Sequence, residues 1–252
     1  MTSSKEYIFE AENLSFTYKR ALKPALDNIS VSIKKGKLYG VIGPNGAGKT
    51  TLISIIATLL KPGKGNVKIC GKSLTGNIGA IRKQIGLIPQ EIALYSNLTG
   101  RENLYYYGRM YGIKKRQLKK DIETYLEIFG LKEKADLKVS TYSGGMKRRI
   151  NLLAGILHKP ALLLLDEPTV GIDAQSRNLI MENLVMLKEQ GISMIYTSHY
   201  MEEIQKLCSR VSIIDNGRII STGNPQNLID DNHDCSDLSE LFLKLTGKKL
   251  RD

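Results

Sequence analysis

Residues 38–50 read LYGVIGPNGAGKT, and this stretch decides the fold of the chain. The apolar run Leu38–Ile42 predicts a buried strand, and the uncharged segment Thr51–Leu60 predicts a helix that stops at Pro62-Gly63. The turn between them fits the pattern G-x-x-x-x-G-K-[ST]. A strand, a glycine-rich turn and a helix start in this order are typical of a phosphate cradle in an α/β protein.

The glycines of this turn let backbone N–H groups converge on phosphate oxygens, and the positive end of the helix dipole favours their charge. We expect Lys49 to reach the β- and γ-phosphates and the Thr50 hydroxyl to ligate Mg²⁺. The turn therefore predicts binding of a nucleoside triphosphate, with ATP and Mg²⁺ as the cofactors. The predicted contact residues are Gly43, Pro44, Asn45, Gly46, Ala47, Gly48, Lys49, Thr50 and Thr51.

The bulk composition is that of a soluble globular protein. At 252 residues, with 42% hydrophobic and 25% charged residues, the chain can form one large core or two joined subdomains. No apolar run approaches the roughly 18 residues that span a bilayer, and the N-terminus lacks the apolar region of a secretory signal. Cys70, Cys208 and Cys235 have no C-x-x-C spacing, so they indicate neither a disulfide framework nor a zinc site.

The net charge of +12 is the one unusual bulk property. Lys and Arg outnumber Asp and Glu most clearly between Arg109 and Ile150. Such a field suits an anionic partner: nucleic acid, the cytoplasmic leaflet of a membrane, or the phosphates of the ligand. A solvated helical face that keeps the protein soluble explains it equally well. Charge alone does not decide between these interpretations.

The order of the predicted elements indicates an α/β core with an inserted helical block. From Gln90 to about Lys159 the apolar residues recur at helical spacing, and Gly130 ends one of the helices there. The last 30 residues are only weakly patterned. Outside the block, the predicted strands are Tyr7–Ala11, Leu14–Tyr18, Ile29–Lys34, Leu38–Ile42, Ala161–Leu165 and Ile192–Thr197, with a helix over 174–190 and a hairpin of Val211–Ile214 and Arg218–Thr222 around Asn216-Gly217.

ATP chemistry also needs a carboxylate from a strand beside the phosphate cradle. Four leucines precede Asp166, so this residue stands at the C-terminal end of a predicted buried strand, where α/β sheets bind their ligands. We expect Asp166 to hold Mg²⁺. The next residue, Glu167, adds a second carboxylate near the γ-phosphate, where it can orient or deprotonate an attacking water.

At this point the chain resembles the ATP-binding cassette (ABC) ATPase family over nearly its whole length. The sequence Tyr-Ser-Gly-Gly-Met at 142–146 is similar to the family signature and stands 20 residues before the strand that ends in Asp166. Ser143 can cap the following helix, while Gly144 and Gly145 leave its first amides open to an anion. The resemblance implies that Ser143, Gly144 and Gly145 contact nucleotide.

Further elements of the family pattern follow in register. Gln90 resembles the Q-loop glutamine, which implies a role in catalysis and at the metal, and Asp173 stands in a Gly-Ile-Asp sequence similar to the D-loop. His199 resembles the switch histidine, and Tyr18 resembles the aromatic residue that stacks on adenine. The implied catalytic set is Glu167, His199 and Gln90, and the implied metal set is Thr50, Gln90 and Asp166.

The resemblance also implies the fold class and the assembly. The expected fold is an α/β P-loop NTPase (RecA-like) core with an N-terminal antiparallel β subdomain and an inserted α-helical subdomain. The expected single domain, residues 1–252, divides into a core with the β subdomain (1–89 and 160–225), a helical subdomain (90–159) and a C-terminal extension (226–252). Two such domains, two copies or one copy and a homologous subunit, are expected to pack head to tail, each ATP lying between one cradle and the other signature.

A transporter role requires a separate transmembrane permease subunit, because no spanning segment is predicted, and it places the chain at the cytoplasmic face of the membrane. Five of the 12 tyrosines fall between residues 95 and 111, where the resemblance implies docking of the permease. They suit an interface, or they pack the helical subdomain. The variants Tyr142, Met146 and Ser-His-Tyr-Met-Glu-Glu at 198–203 are similar to the exporter branch of the family, which handles drugs, antibiotics, polysaccharides or ions.

Two other functions compete with the expected ATP-driven export. A non-transport ABC ATPase that acts on nucleic acid or ribosomes would use the basic block, but such proteins resemble this chain only in the shared motifs. A module that senses ATP without hydrolysing it does not need both Glu167 and His199, and the chain has both. We therefore expect an ATPase of a membrane transporter, with no nucleic acid partner.

Overall fold

The computed structural model describes residues 6–76 and 78–247. The two ends of the predicted domain, residues 1–5 and 248–252, lie outside the described residues. In the described ranges the strands are β1 (Tyr7–Phe16), β2 (Leu26–Lys34), β3 (Leu38–Ile42), β4 (Lys64–Ile69), β5 (Lys72–Ser73), β6 (Ile85–Ile88), β7 (Leu162–Asp166), β8 (Ser193–Thr197), β9 (Arg210–Asp215) and β10 (Arg218–Gly223). The α-helices there are α1 (Lys49–Ile56), α2 (Ile78–Arg82), α3 (Gly100–Met110), α4 (Lys115–Ile128), α5 (Gly144–Ile156), α6 (Ala174–Glu189), α7 (Met201–Leu207), α8 (Pro225–Asp230) and α9 (Leu238–Thr246).

The larger sheet positions the site. Its six strands run in the order β10-β9-β3-β8-β7-β6, and every neighbouring pair from β9 to β6 is parallel. Only the hairpin partner β10 is antiparallel, joined to β9 through the predicted Asn216-Gly217 turn, in which both residues have positive φ. The C-terminal ends of β3, β8, β7 and β6 therefore meet at one edge of the sheet.

Strand β7 is buried on both faces because a hydrophobic core lies on each side of it. Leu163 and Leu165 point into a core shared with the helices α3, α4, α5 and α6. Leu162 and Leu164 point into a second core, shared with α1 and the N-terminal strands. All four leucines are fully buried. The unbroken apolar run is thus explained by the alternation of side chains across a covered strand.

A second, antiparallel sheet in the order β2-β1-β4-β5 covers one side of the core, as predicted. The prediction of two strands at the N-terminus is wrong, since β1 is one strand. Its register shifts after Ala11, and Asn13 takes a left-handed φ of 52°. Such a bulge disturbs the alternation of side chains without ending the strand, so the sequence pattern resembles a break.

Helix α1 is shorter than predicted. It ends at Ile56 instead of Leu60, because Thr58 takes a left-handed φ of 62°. The guanidinium of Arg82 holds this residue by donating to the Thr58 hydroxyl at 2.7 Å and to its carbonyl at 3.2 Å. A contact with α2 therefore stops α1 before Pro62 is reached.

Helices α3, α4 and α5 follow one another between β6 and β7. Thr99 and Glu102 form a capping box at the start of α3, and Ser143 caps α5 by accepting from the Met146 amide at 3.2 Å. Helix α4 buries Leu118, Ile122 and Leu126 on one face. The chain leaves α4 through Gly130, whose φ is 62°, as the sequence predicts.

The weakly patterned end of the chain forms two helices that belong to the core. Asn224 caps α8, which has Pro225 in its first turn. In α9, Leu238, Leu241 and Phe242 are buried in the same core as α5 and α6. A short amphipathic helix has too few residues for its period to stand out in the sequence. Among the described residues, no helix combines the length and the apolar character that crossing a membrane requires.

Candidate functional site

The loops after the parallel strands carry the predicted site residues. The glycine turn 43–48 follows β3, Gln90 follows β6, Glu167 follows β7 and His199 follows β8. Since these strands are neighbours and point the same way, their loops come together at the C-terminal edge of the sheet, where open α/β sheets bind ligands.

Two glycines of the turn stand where a side chain does not fit. A Cβ on Gly43 would lie 2.2 Å from the carbonyl oxygen of Ile214. A Cβ on Gly48 would lie 2.4 Å from the carbonyl oxygen of Ala25, and the φ of Gly48 is 108°. Glycine at these positions lets the turn lie against β9 and the segment before β2.

Helix α1 begins at the turn without a side-chain cap, because Gly48 occupies the N-cap position. The amides of its first turn have no partner within the helix, so they suit an anion. The Lys49 side chain is buried, and its Nζ donates to the carbonyl oxygens of Gly43 at 2.7 Å and Pro44 at 3.2 Å. Burial lowers the pKa of Lys49, while the charges of Glu167 and Asp166 act in the opposite direction.

Asp166 lies at the end of β7 and is buried. Its Oδ1 accepts from the Thr197 hydroxyl at 2.7 Å, across the strand pair β7–β8. Burial raises the pKa of Asp166, and hydrogen bonds with the Thr197 and Thr50 hydroxyls and the charge of Lys49 offset part of the rise. The Thr50 hydroxyl therefore lies next to this carboxylate, as the predicted metal pair requires.

Glu167 leaves the strand with a left-handed φ of 49°, which is unusual for a residue with a Cβ. Its amide donates to the Thr197 carbonyl at 3.2 Å and to the Thr197 hydroxyl at 3.0 Å, so the turn is held from β8. The backbone turn directs the carboxylate away from Asp166. There Oε1 lies 2.5 Å from Nε2 of His199, and Oε2 accepts a hydrogen bond from the side-chain Nε2 of Gln90 at 2.9 Å.

The electrostatic surroundings keep the Glu167 carboxylate ionised. Burial alone would raise its pKa, but the hydrogen bond and the electrostatic interaction with His199 and the charges of Lys49 and Arg148 outweigh burial, and the pKa is lowered. A carboxylate that stays deprotonated can accept a proton from water.

Tyr18 stands at the open side of the turn with 45% of its surface exposed. Its ring packs edge-on against Phe16, with the centroids 4.9 Å apart, and its hydroxyl lies 3.2 Å from the Thr51 hydroxyl. These contacts fix the ring while leaving area free for a planar base.

A cavity of about 560 Å³ joins these groups. The predicted residues that line it are Tyr18, Asn45, Gly46, Ala47, Gly48, Lys49, Thr50, Thr51, Gln90, Glu167 and His199. Gly43, Pro44 and Asp166 do not line the cavity; Gly43 and Pro44 hold Lys49, and Asp166 lies next to Thr50.

The signature residues and Asp173 lie outside this cavity. Gly144 lines a different one, of about 470 Å³, beside Gln90, Arg148 and Gly171. Asp173 caps α6, where its carboxylate accepts from both the amide and the hydroxyl of Ser176 at 2.8 Å. A Cβ on Gly145 would lie 2.0 Å from this hydroxyl, so α5 and α6 meet closely there. Within one chain, the turn and the signature do not form one pocket.

Sequence reasoning missed two residues that shape the site. Arg148 is buried and donates to the backbone carbonyls of Gln90 and Val170, which ties the signature helix α5 to the loops after β6 and β7. Thr197 positions both Asp166 and Glu167. Arg148 gave no signal, because a basic residue on a helix usually faces solvent. A hydroxyl at the end of the strand beside Asp166 was a usable signal for Thr197.

The donor set fits a hard cation. The Thr50 hydroxyl, the Asp166 carboxylate and the Gln90 amide oxygen are of the kind that Mg²⁺ prefers, and Mg²⁺ usually combines one or two carboxylates with phosphate oxygens. In the described residues the Thr50 hydroxyl acts on Asp166 by lowering the pKa of its carboxyl group.

Comparisons with known proteins agree on one family. The profile described as ABC transporter matches residues 26–170. Over 221 residues the chain is 48% identical to the linearmycin resistance ATP-binding protein LnrL of Bacillus subtilis (strain 168), a match that covers 88% of this chain and 70% of that protein. It is 38% identical over 240 residues to the Nod factor export ATP-binding protein I of Sinorhizobium fredii, a match that covers 95% and 69% of the two chains.

A solved structure is similar in fold as well. It is described as a dimeric structure of a post-hydrolysis state of the ATP-binding cassette MJ0796 bound to ADP and Pi. The TM-score is 0.77 at 25% sequence identity, over 86% of this chain and 98% of that one. The predicted α/β P-loop fold is thereby confirmed.

We predict that Gly48→Ala weakens ATP binding by at least about tenfold, the equivalent of about 1.4 kcal/mol. The added methyl group overlaps the Ala25 carbonyl, so the turn and the first amides of α1 must move. Isothermal titration with ATP measures the affinity, and thermal unfolding measures the folded state.

The matched control is Gly36→Ala. Gly36 also has a positive φ, of 66°, but no atom lies within 4 Å of its added Cβ, and it is remote from the cavity. It should lose some stability and no ATP affinity. Equal affinity losses in the two variants would contradict a steric role of Gly48 in the site.

Proposed function

The chain belongs to the ABC transporter family as one of its ATP-hydrolysing subunits, and we propose that the transporter it powers is an exporter. Two similar proteins support this direction, since their names denote linearmycin resistance and Nod factor export. The observation that carries the hydrolytic role is the Glu167 carboxylate, held by Gln90 and His199 in the cavity that Lys49 lines.

For hydrolysis, we assign Glu167 as the general base. Its deprotonated carboxylate takes a proton from the water that attacks the γ-phosphorus, while Gln90 and His199 orient it. We propose that His199 Nε2, which contacts Glu167 Oε1 in the structure, turns its single N–H to the γ-phosphate when ATP is bound. When ATP binds, Lys49 would donate to phosphate oxygens instead of the carbonyl oxygens of Gly43 and Pro44. The negative charge of the phosphates would then compensate the buried positive charge of Lys49.

We assign the metal position to Thr50, Asp166 and Gln90. Mg²⁺ held by these residues would neutralise negative charge on the phosphates of ATP. A bound cation would offset the burial of Asp166, because among the described residues Lys49 is the one cation whose charge lowers the pKa of this carboxyl group. Tyr18 is assigned to the adenine, through the free part of its ring.

The two separate anion sites support a dimer. The first amides of α1 face the cavity, whereas the first amides of α5 at Ser143, Gly144 and Gly145 lie elsewhere. We propose that two copies pack head to tail, so that the signature and Asp173 of one copy complete the site of the other. Closure by ATP and reopening after hydrolysis then follow from the negative charge that both helix starts attract. A dimeric form of the similar cassette MJ0796 is consistent with this arrangement.

We propose that a transmembrane permease docks on the exposed tyrosines Tyr95, before α3, and Tyr106, in α3. This docking would place the chain at the cytoplasmic face of the membrane. Tyr95 and Tyr106 are exposed by 48% and 41%, and their rings pack edge-on with centroids 4.9 Å apart. Tyr107 instead packs into the subdomain, with its hydroxyl donating to the Ala93 carbonyl. The exposed pair thus forms a rigid aromatic surface of the kind that interfaces use.

The boundaries that we propose for the parts of the chain follow the element order. The core with its β subdomain comprises 1–89 and 160–225, the helical subdomain 90–159, and the C-terminal extension 226–252. Because α9 is buried in the same core as α5, we regard the extension as part of the same domain.

We predict that Glu167→Gln lowers the turnover number for ATP by about 10²–10⁴-fold, the usual contribution of a general base. The amide has the same size but does not accept a proton, so ATP should still bind. With excess ATP and Mg²⁺ the variant should accumulate as a dimer. Phosphate release and light scattering after gel filtration measure the two effects.

Glu189→Gln is the control, because Glu189 is exposed at the end of α6 and the charge change is the same. It should leave turnover within about twofold, as surface substitutions usually do. Wild-type turnover in Glu167→Gln would remove the assignment of the base, and a monomer in excess ATP and Mg²⁺ would remove the closure step.

We also predict that Tyr106→Ser reduces the fraction of the protein that co-sediments with membranes containing the permease. A truncated aromatic anchor at an interface typically costs about 2 kcal/mol or more. Ile220→Ser is the control, since Ile220 is 41% exposed like Tyr106 and lies on the edge strand β10. Equal retention of both variants at membranes would contradict docking on this face.

A further inference from the structure

We propose that Glu203 is a positioning residue for hydrolysis: its buried carboxylate holds together the loops that carry Glu167 and His199. Glu203 lies in α7 and is only 2% exposed, and it does not line the nucleotide cavity. It therefore acts through other residues. The inference rests on the roles proposed for Glu167 and His199.

One oxygen of this carboxylate gathers three hydroxyl groups. Oε2 of Glu203 accepts from the hydroxyls of Tyr196 at 2.5 Å, Ser198 at 2.8 Å and Thr169 at 3.0 Å. All three partners are buried. Tyr196 and Ser198 lie at the end of β8 close to His199, and Thr169 lies in the loop close to Glu167.

The first two partners control the end of β8. Tyr196 and Ser198 flank Thr197, whose hydroxyl and carbonyl hold Asp166 and the Glu167 amide. Ser198 also immediately precedes His199, and its hydroxyl accepts from the Tyr200 amide at 2.9 Å. A shift of Ser198 would therefore move His199 directly and Glu167 through Thr197.

The third partner controls the loop after β7. Thr169 stands two residues after Glu167, on the segment that turns away from the sheet edge. Since Glu203 bonds Thr169 and Ser198 through one oxygen, the spacing between the two catalytic loops is set by that oxygen. This is the spacing that brings His199 to 2.5 Å from Glu167.

A charged carboxylate is needed for this arrangement. Burying an ion is costly unless it is compensated, and hydrogen bonds to an ionised acceptor are about twice as strong as neutral ones. Burial and the charge of Glu203 raise the pKa of Tyr196 well above its usual value, so this phenol keeps its proton and acts as a donor. Three hydroxyl protons thus point at one anionic oxygen.

The other oxygen links the cluster to the helix that follows Asp173. Within the described part of the chain, Oε1 of Glu203 makes no hydrogen bond, and Nε of Arg177 lies 3.6 Å from it. Arg177 lies in α6, and its guanidinium sits over the Tyr200 ring, 3.9 Å from the centroid. The positive charge of Arg177, in α6, therefore also compensates the negative charge of Glu203.

The test compares Glu203→Gln with Glu202→Gln. Both residues lie in the first turn of α7 and both variants lose one negative charge, but Glu202 is exposed. The neutral amide oxygen of Gln accepts hydrogen bonds from the three hydroxyl groups less strongly than a carboxylate does. We therefore expect the two loops to lose their fixed spacing. Turnover number, KM, affinity for the non-hydrolysed analogue AMP-PNP and the unfolding temperature are measured on the full chain.

We expect Glu203→Gln to lower the turnover number at least about tenfold, because misplacing a catalytic group by about 1 Å can cost about 10²-fold in rate. Affinity for AMP-PNP should change less than about twofold, since the described hydrogen bonds of Glu203 go to Tyr196, Ser198 and Thr169 and not to the turn 43–50. Glu202→Gln should match the wild type. A purely structural role of Glu203 would instead lower the folded fraction and leave the turnover number per folded molecule unchanged, and that result would overturn the inference.

Tyr196→Phe keeps the inference testable if Glu203→Gln does not fold. It removes one hydroxyl and keeps the ring, and it should lower the turnover number several-fold at unchanged AMP-PNP affinity; wild-type turnover would overturn the inference. Glu167→Gln is measured alongside. If it hydrolyses ATP normally, the assignment of Glu167 as the base fails, and with it the premise of this inference; if it is inactive while Glu203→Gln is normal, only the positioning role fails.

Discussion

The structure depends on the burial of β7 between two hydrophobic cores. Leucines that alternate across the strand contact the helices on one side and α1 with the antiparallel sheet on the other. Because both faces are covered, this strand cannot shift by one residue without exchanging the two cores. Its polar end is therefore fixed in space: Asp166 and Glu167 stand beside the ends of β8 and β6, and β3 lies one strand beyond β8. The register of β7 in the sheet thus determines where the two carboxylates lie.

Sequence reasoning predicted the parts of the site that depend on chain order. The glycine turn, the carboxylates after four leucines and the histidine after a strand each follow a local pattern, and the parallel sheet brings them together. It did not predict how they are held. Arg148 acts through contacts with the carbonyls of Gln90 and Val170, which are distant along the chain, and no local sequence pattern indicates them. Thr197 acts across the strand pair β7–β8, so its position at a strand end becomes informative only when that pairing is known. The end of α1 at Ile56 likewise depends on Arg82, 24 residues from Thr58 along the chain.

Within one chain, residues of the glycine turn, Glu167 and His199 line one cavity, whereas Gly144 lines a second cavity beside Gly171, and Gln90 borders both. In the same chain, Asp173 and Ser143 serve as helix caps, so α6 and α5 begin in fixed orientations. A second copy that met these two helix starts would find them ordered in advance, which lowers the entropic cost of association.

The most direct test of the proposed shared site mixes Lys49→Ala and Gly144→Glu, two variants that we expect to be inactive when each is present alone. The first loses the cradle lysine; the second repels phosphate from the signature, and its Cβ fits because the nearest atoms are 3.6 Å away. Only a mixed dimer contains one complete site. Equal mixing should restore roughly a quarter of wild-type turnover, since half of randomly paired two-fold dimers are mixed and each has one intact site of two. If the two chains co-purify as a mixed dimer and hydrolysis stays absent, the ATP site is not shared between subunits.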